Sequence, residues 1–312
     1  GKTACPGRAR LILPAFLALW GCEYESRVAL GNVENVLHYG LSGEPQTLDP
    51  HVASGVQEYR IIGALLEPLV TLDPSTMTFR PAAAERWQTD ADGLGATFHL
   101  RETGRWSNGD PVTADEFVFA FRRAVNPVMG NQLAEVFFPL RNAERIYRKE
   151  TDDLSSLGVR ALDELTLRVE LEYPLPADVL LMNLAHASAV PLHRATLRRH
   201  AGEAARYSGW AKPGELLSNG AFVLDSWRFQ RDLRLSPNPF YRREDAPSLR
   251  GIVFHPVGNM TTQEKLFRSG QLHVTAGLPA SKIPGYRVLD ASPLVEHAVN
   301  RSTYLVVNLQ RP

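Results

Sequence analysis

The chain has 312 residues, 44% of them hydrophobic and 22% charged, enough to bury one large core or two ordinary ones and unlike a disordered segment. Lys plus Arg equals Asp plus Glu at 34 each, so no global field recruits nucleic acid or an anionic surface, and any partner is chosen locally. Only Cys5 and Cys22 occur, both at the amino-terminal end, which leaves the body without an internal disulfide, a thiolate nucleophile or a thiolate metal site.

Lys2, Arg8 and Arg10 precede an apolar run over 11–20, and Gly21-Cys22 follows it, the outline of a signal peptide over 1–22. A run of about ten residues is too short to span a bilayer, which takes about twenty. Nothing amphipathic accompanies it, which argues against a buried amino-terminal helix. Leu19-Trp20-Gly21-Cys22 resembles a bacterial lipobox, which implies lipidation of Cys22; Trp20 departs from the small residue usual at its position.

Further on, Leu37, Tyr39 and Leu41 alternate and predict a strand over 36–41, turned by Gly43-Glu44-Pro45. A helix over 59–66 and a strand from Leu69 into an Asp73-Pro74 turn follow. Over 97–101, Phe98 and Leu100 alternate with Thr97, His99 and Arg101, the pattern of a half-buried strand. Asn108-Gly109-Asp110-Pro111 then breaks the chain, because Gly109 tolerates positive φ and Pro111 cannot continue a ladder. Thr113 with Glu116 three residues on makes a capping box, and Phe117, Ala120, Phe121, Ala124 and Val125 share one face of the helix it opens. Asn126-Pro127 ends that helix, and Trp106 and the phenylalanines read as core.

Segments 159–163 and 165–171 give the clearest hairpin pattern. A buried helix is expected through Leu184 and a basic helix over 193–200, separated by Pro191. Asn219-Gly220 turns into a two-stranded ribbon ended by Pro237 and Pro239. Then come a strand over 251–255, a helix opened by a Thr261/Glu264 capping box and closed by Gly270, and strands over 272–275 and 303–308. That alternation argues for a mixed α/β lobe.

Several catalytic constellations are missing from the sequence: a Gly-rich phosphate loop with a following Lys, His-Glu-x-x-His, and Gly-x-Ser-x-Gly. His186, His193 and His200 are seven apart, but Pro191 interrupts the helix that would align them, so they read as solvated or capping histidines. Asp152-Asp153 and Asp163-Glu164 are carboxylates of turns, with no apolar pocket to separate their pKa values. Arg198-Arg199 and Arg242-Arg243 read as solvated faces. No metal or cofactor is expected, and a secreted hydrolase is the least favoured reading because no nucleophile–base pair stands at recognisable spacing.

Arg105-Trp106-Ser107-Asn108-Gly109-Asp110-Pro111-Val112-Thr113-Ala114-Asp115-Glu116-Phe117 resembles the hallmark of the bacterial extracellular solute-binding proteins of family 5, the oligopeptide- and dipeptide-binding receptors of peptide ABC importers. Glu44-Pro45-Gln46-Thr47-Leu48-Asp49-Pro50-His51 is similar to that family's opening motif. Glu67-Pro68-Leu69-Val70, Pro81-Ala82-Ala83-Ala84-Glu85-Arg86-Trp87, the block 217–227 and the helix ended by Ser269-Gly270 match further elements in the family's order. The resemblance implies an α/β fold with periplasmic-binding-protein-like (type II) mixed-sheet lobes. By it, 23–67 and 191–300 form a discontinuous lobe I, 68–190 form lobe II, and 301–312 start a lobe III that is otherwise missing.

The resemblance also implies binding without catalysis. The chain would be an exported, monomeric lipoprotein that captures oligopeptides in the periplasm and delivers them to the permease subunits of an ABC importer. A peptide would lie extended between lobes that close on it, paired as an added strand, its side chains in hydrated pockets. By position Ser54, Gly55 and Val56 would line the ligand, Ser54 standing where some relatives carry an acidic residue; Thr275 and Tyr304 are further candidates. The carboxylate that meets the peptide amino terminus in the family belongs to the third lobe. The chain as given is therefore expected to bind peptide weakly or not at all. Relatives on this scaffold take dipeptides, nickel complexes, haem or sugars, so another solute stays open, as does a non-functional truncated receptor.

Overall fold

The computed structural model describes residues 1, 26–200, 202, 206, 209–242 and 248–296. The signal-like segment with Cys22 and the strand expected over 303–308 with Tyr304 lie outside the described residues. Helix α1 (Arg27–Glu34) is capped by Ser26, whose Oγ accepts from Ala29 N at 3.0 Å, and leads into strand β1 (Val36–Leu41). Helix α2 (Val56–Leu65) precedes strands β2 (Val70–Asp73), β3 (Thr78–Pro81), β4 (Ala84–Thr89) and β5 (Gly95–Leu100) and helix α3 (Ala114–Val125). Helix α4 (Ala143–Tyr147), strands β6 (Val159–Ala161) and β7 (Thr166–Glu170), and helices α5 (Ala177–Leu184) and α6 (Arg194–Arg199) come next. Strands β8 (Phe222–Arg228), β9 (Asp232–Pro237) and β10 (Gly251–Pro256) and helices α7 (Met260–Arg268) and α8 (Ile283–Arg287) complete the described part.

One sheet has the order β1-β10-β9-β8. In it β1 runs parallel to β10, Val36 opposite Gly251 through Leu41 opposite Pro256, while the β10-β9 and β9-β8 pairs are antiparallel. The second four-stranded sheet, β4-β5-β7-β6, is antiparallel throughout, and β2 with β3 forms a separate ribbon. Segment 272–275 meets β1 through a single parallel bridge, Tyr39 to Val274, so the strand expected there is reduced to a bridge. The ladder stops because Ala276 N turns away to the side chain of Gln263, at 2.8 Å.

Helix α3 packs on β6 and β7 and buries Phe117, Ala120, Phe121, Ala124 and Val125, the face its sequence predicts. Trp106 is fully buried before it, and each such aromatic or aliphatic side chain contributes about 1.5–3 kcal/mol on leaving water. Gly109 takes φ +92° in the turn between them, a region costly for residues with a Cβ. One contiguous core joins the two large sheets, from Leu41 and Ile61 through Phe98 and Phe121 to Phe254.

Three further expectations are corrected. Helix α7 is capped by Asn259 rather than Thr261: Asn259 Oδ1 accepts from Thr262 N at 2.9 Å, and Asn outranks Thr as a cap. Helix α5 buries Leu180, Leu181 and Leu184 but leaves Val179 and Met182 exposed, so it is half-buried. Arg242 is buried rather than solvated, because its guanidinium grips both oxygens of Glu67 at 2.6 and 2.7 Å.

Candidate functional site

The loop after β1 is built on Asp49. Its backbone N–H donates to Thr47 Oγ1 at 3.1 Å, and its Oδ1 accepts from His51 N at 3.0 Å, which closes a tight Asx turn. The carboxylate then takes both arms of Arg123 from helix α3, at 2.8 and 2.6 Å. Burial by itself raises the Asp49 pKa, but the charge and hydrogen bonds of Arg123 more than offset it and hold the carboxyl below its usual range. Arg123 Nη1 also donates to His51 Nδ1 at 3.0 Å. Burial first, and then the Arg123 charge, push His51 down to about 3, so its imidazole is neutral. The Asp49-Pro50-His51 motif is thus a buried anchor, and the chain it positions is what reaches the surface.

That chain is the loop 54–56. Tyr59 Oη donates to Ala53 O at 2.7 Å, which fixes the loop's start, and Gly55 is the N-cap of α2. Glu58 in the first turn is buried, and its Oε1 accepts from Gln46 N at 2.9 Å. Its other oxygen lies so close to Gly55 that any Cβ there would collide with it. A side chain at position 55 would therefore require the Glu58 carboxylate and the Gln57 amide to move aside. Ser54 is exposed, and Val56 is 72% exposed at the helix start.

Segment 275–277 reaches the same end of the sheet by way of Gln263, which is fully buried on α7. Its Nε2 donates to Leu41 O at 2.9 Å and Val257 O at 2.6 Å, while its Oε1 accepts from Ala276 N at 2.8 Å. One side chain so ties the carboxyl ends of the parallel strands β1 and β10 to the segment after Val274. A small groove there is lined by Leu41, Ser42, Val56, Gln57, Arg60 and Ala276. Thr275 lines a neighbouring cavity of about 430 Å³ that runs on past Gly277 and Leu278 to Tyr286 and Val295.

Of the residues expected to line a ligand, Val56 and the neighbours of Thr275 come together at this crevice. Ser54 and Gly55 shape the loop beside it without lining either cavity, and Tyr304 lies outside the described residues. Arg60, Gln263 and Glu58 went unforeseen. Glu58 had a local signal, an acidic residue in the first turn of a helix. Gln263 had none, because its partners lie on three separate segments. The histidines at seven-residue spacing each have their own partner: His186 Nδ1 lies 2.8 Å from Ser188 Oγ, His193 caps α6, and His200 Nε2 lies 2.8 Å from Glu215.

A family model described as bacterial extracellular solute-binding proteins, family 5 middle, matches residues 78–312. The probable deoxycholate-binding periplasmic protein YgiS of Escherichia coli (strain K12) is 32% identical over 282 residues, 89% of this chain and 50% of that protein. The periplasmic oligopeptide-binding protein OppA of Haemophilus influenzae is 35% identical over 239 residues, 76% of this chain and 42% of that protein. The crystal structure of Haemophilus influenzae OppA in complex with RPPGFSPFR matches with a TM-score of 0.74 and 31% identity, covering 81% of this chain and 48% of that one. The chain thus spans about half the length of the curated relatives it matches. Its mixed α/β sheets are those of type II periplasmic binding proteins. The chain belongs to the bacterial extracellular solute-binding proteins of family 5.

Proposed function

We propose that the chain is part of the substrate-binding component of an ABC importer, which captures oligopeptides in the periplasm, acts as a monomer and hands its ligand to the permease subunits. The observation that carries this reading is the meeting of Val56 and Ala276 in one groove at the carboxyl ends of the parallel strands β1 and β10, where open α/β sheets take their ligands. The peptide complex of Haemophilus influenzae OppA supports peptide as the solute class. Lobe I is taken as 23–67 with 191–300 and lobe II as 68–190, since the β1-β10-β9-β8 sheet draws its strands from the first set and β4-β5-β7-β6 from the second. Ser54, Gly55, Val56 and Thr275 are the ligand-side residues of this reading, with Tyr304 and a lipidated Cys22 completing it.

Backbone amide NMR of the isotopically labelled chain with millimolar tripeptide tests the proposal and tolerates weak binding. The expected outcome is concentration-dependent shifts at Val56, Gln57 and Ala276, with the peptide recovered intact. Shifts absent from that groove, or cleavage of the peptide, would overturn it.

A further inference from the structure

A second cavity, of about 450 Å³, opens beside the loop after β1 and is lined by Gln46, Thr47, Trp210, Lys212, Trp227 and Phe229 among others. It shares no lining residue with the groove at Val56 and Ala276. It lies at the β8 side of the sheet, with β9 and β10 between it and β1. Its volume is that of ordinary small-molecule sites, and its walls are mostly apolar, with three aromatic rings, Trp210, Trp227 and Phe229, among them.

Those walls are held in place. Trp227 Nε1 donates to Glu44 Oε1 at 2.7 Å, and the other oxygen of Glu44 accepts from Gln230 N at 2.9 Å. A single carboxylate therefore fixes both the indole and the hairpin tip that carries Phe229. Trp210 is 3% exposed, and the Arg123 guanidinium stands 5.9 Å from its ring centroid, itself anchored by Asp49. A surface gap between mobile side chains would show no such bracing; a preorganised pocket would. Phe229 is 74% exposed, an apolar ring with nothing over it on one face of the opening. The charges decide the polarity of an occupant. Asp49 in the wall is neutralised by Arg123, while Lys212 at the rim is exposed and enters no ion pair among the described residues.

We infer that this cavity is a second ligand site, separate from the peptide groove, for a rigid apolar ring system that bears one carboxylate. The rings rest against Trp210, Trp227 and Phe229, and the carboxylate is met by the Lys212 ammonium. The inference does not rest on the peptide reading.

Calorimetric titration of the 312-residue chain with 2-naphthoate and with its neutral amide, 2-naphthamide, tests it. Naphthoate is expected to bind saturably with one-to-one stoichiometry, up to about fivefold more tightly than the amide, the range of an exposed ion pair. Phe229→Ala is expected to weaken naphthoate by about tenfold with unchanged thermal unfolding, since the ring is already in water in the free protein. Lys212→Met is expected to remove the preference for acid over amide while leaving amide affinity intact. Saturating tripeptide should leave naphthoate affinity unchanged. Absence of saturable heat, indifference to both substitutions, or displacement of naphthoate by the tripeptide would each overturn the second site.

Discussion

Asp49 and Arg123, 74 residues apart in sequence, form a bidentate ion pair whose side chains are no more than 3% exposed. One belongs to the loop after β1 and the other to the inner face of α3, so the two most distinctive motifs of the sequence are locked to each other. His51 accepts from the same guanidinium, and Trp210 lies against it. The pair thus sits between the 54–56 loop, the second sheet's helix and the cavity at Trp210.

Removing one partner of a buried pair leaves an uncompensated charge. Arg123→Met is therefore expected to lower stability by about 3–5 kcal/mol, read from urea unfolding. Adding Asp49→Asn should restore part of the loss, because the stranded charge is gone while an acceptor for His51 N remains. A single substitution that costs nothing, or a double variant no better than the single, would refute this account.

Three histidines, His51 and His255 buried and His38 half-buried, set a slope in the stability–pH curve. Burial, reinforced by Arg123, brings His51 to about 3. Burial, reinforced by His273, Arg27 and Arg234, brings His38 to about 4, and burial with Arg27 and His38 does the same for His255. Native pKa values below the unfolded value of about 6.5 mean that the unfolded chain binds more protons between these limits. Stability is then fully present above about pH 6.5 and lost as the pH falls toward 4 and below. Urea midpoints should fall from pH 7 to pH 4.5, and His255→Gln should flatten the fall.

Glu116 works in the opposite sense. Burial lifts its carboxyl to about 7; the bonds from Trp106 Nε1, at 2.6 Å, and Thr113 N, at 3.3 Å, resist that rise, and Asp110 and Asp115 add to it. An acid whose native pKa is raised keeps its proton when folded and gives it up when unfolded, so its contribution is lost as pH rises from about 4.5 to about 7. Glu116→Gln retains an oxygen for both donors. The variant should therefore gain stability relative to the parent as the pH is raised from 5 to 7.5, a difference free of the histidine slope. A constant offset across that range would show that Glu116 does not titrate there.

Much of the fold was legible because it is written in short-range periodicity. The alternation at 36–41, the Phe98 and Leu100 pattern, the 159–171 hairpin and the apolar face of α3 all fix elements from neighbours within one turn or one ladder step. What the sequence hid depends on residues brought together from afar. Arg123 looks like an ordinary basic residue in the last turn of a helix, and nothing near it announces Asp49. Arg242 likewise lies 175 residues from Glu67. The stacking of His38 on His255 and His273, with centroids 5.3 and 5.8 Å apart, follows from strand register and not from spacing. Of the candidate site, the loop at Val56 and the stretch at Thr275 were legible through family motifs, while the side chain that joins them was not.

That side chain, Gln263, gives the sharpest test of the crevice. Gln263→Leu nearly preserves volume but strands Val257 O and Ala276 N, each at about 1–3 kcal/mol if it stays buried and unpaired, while Leu41 O keeps the bond from Val257 N at 3.1 Å. Relaxation of the 275–277 segment toward water is the easiest escape, since α7 and the two strands are fixed by their own ladders. Unfolding midpoints should drop, and the amide shifts expected at Ala276 with tripeptide should be absent from the variant under conditions where circular dichroism still reports a folded chain. Gln263→Glu should behave similarly, because a carboxylate can accept from Ala276 N but cannot donate to the two carbonyls. Loss of stability with the tripeptide shifts intact would confine Gln263 to the fold, whereas loss of the shifts in a folded variant makes it the residue that positions one wall of the site.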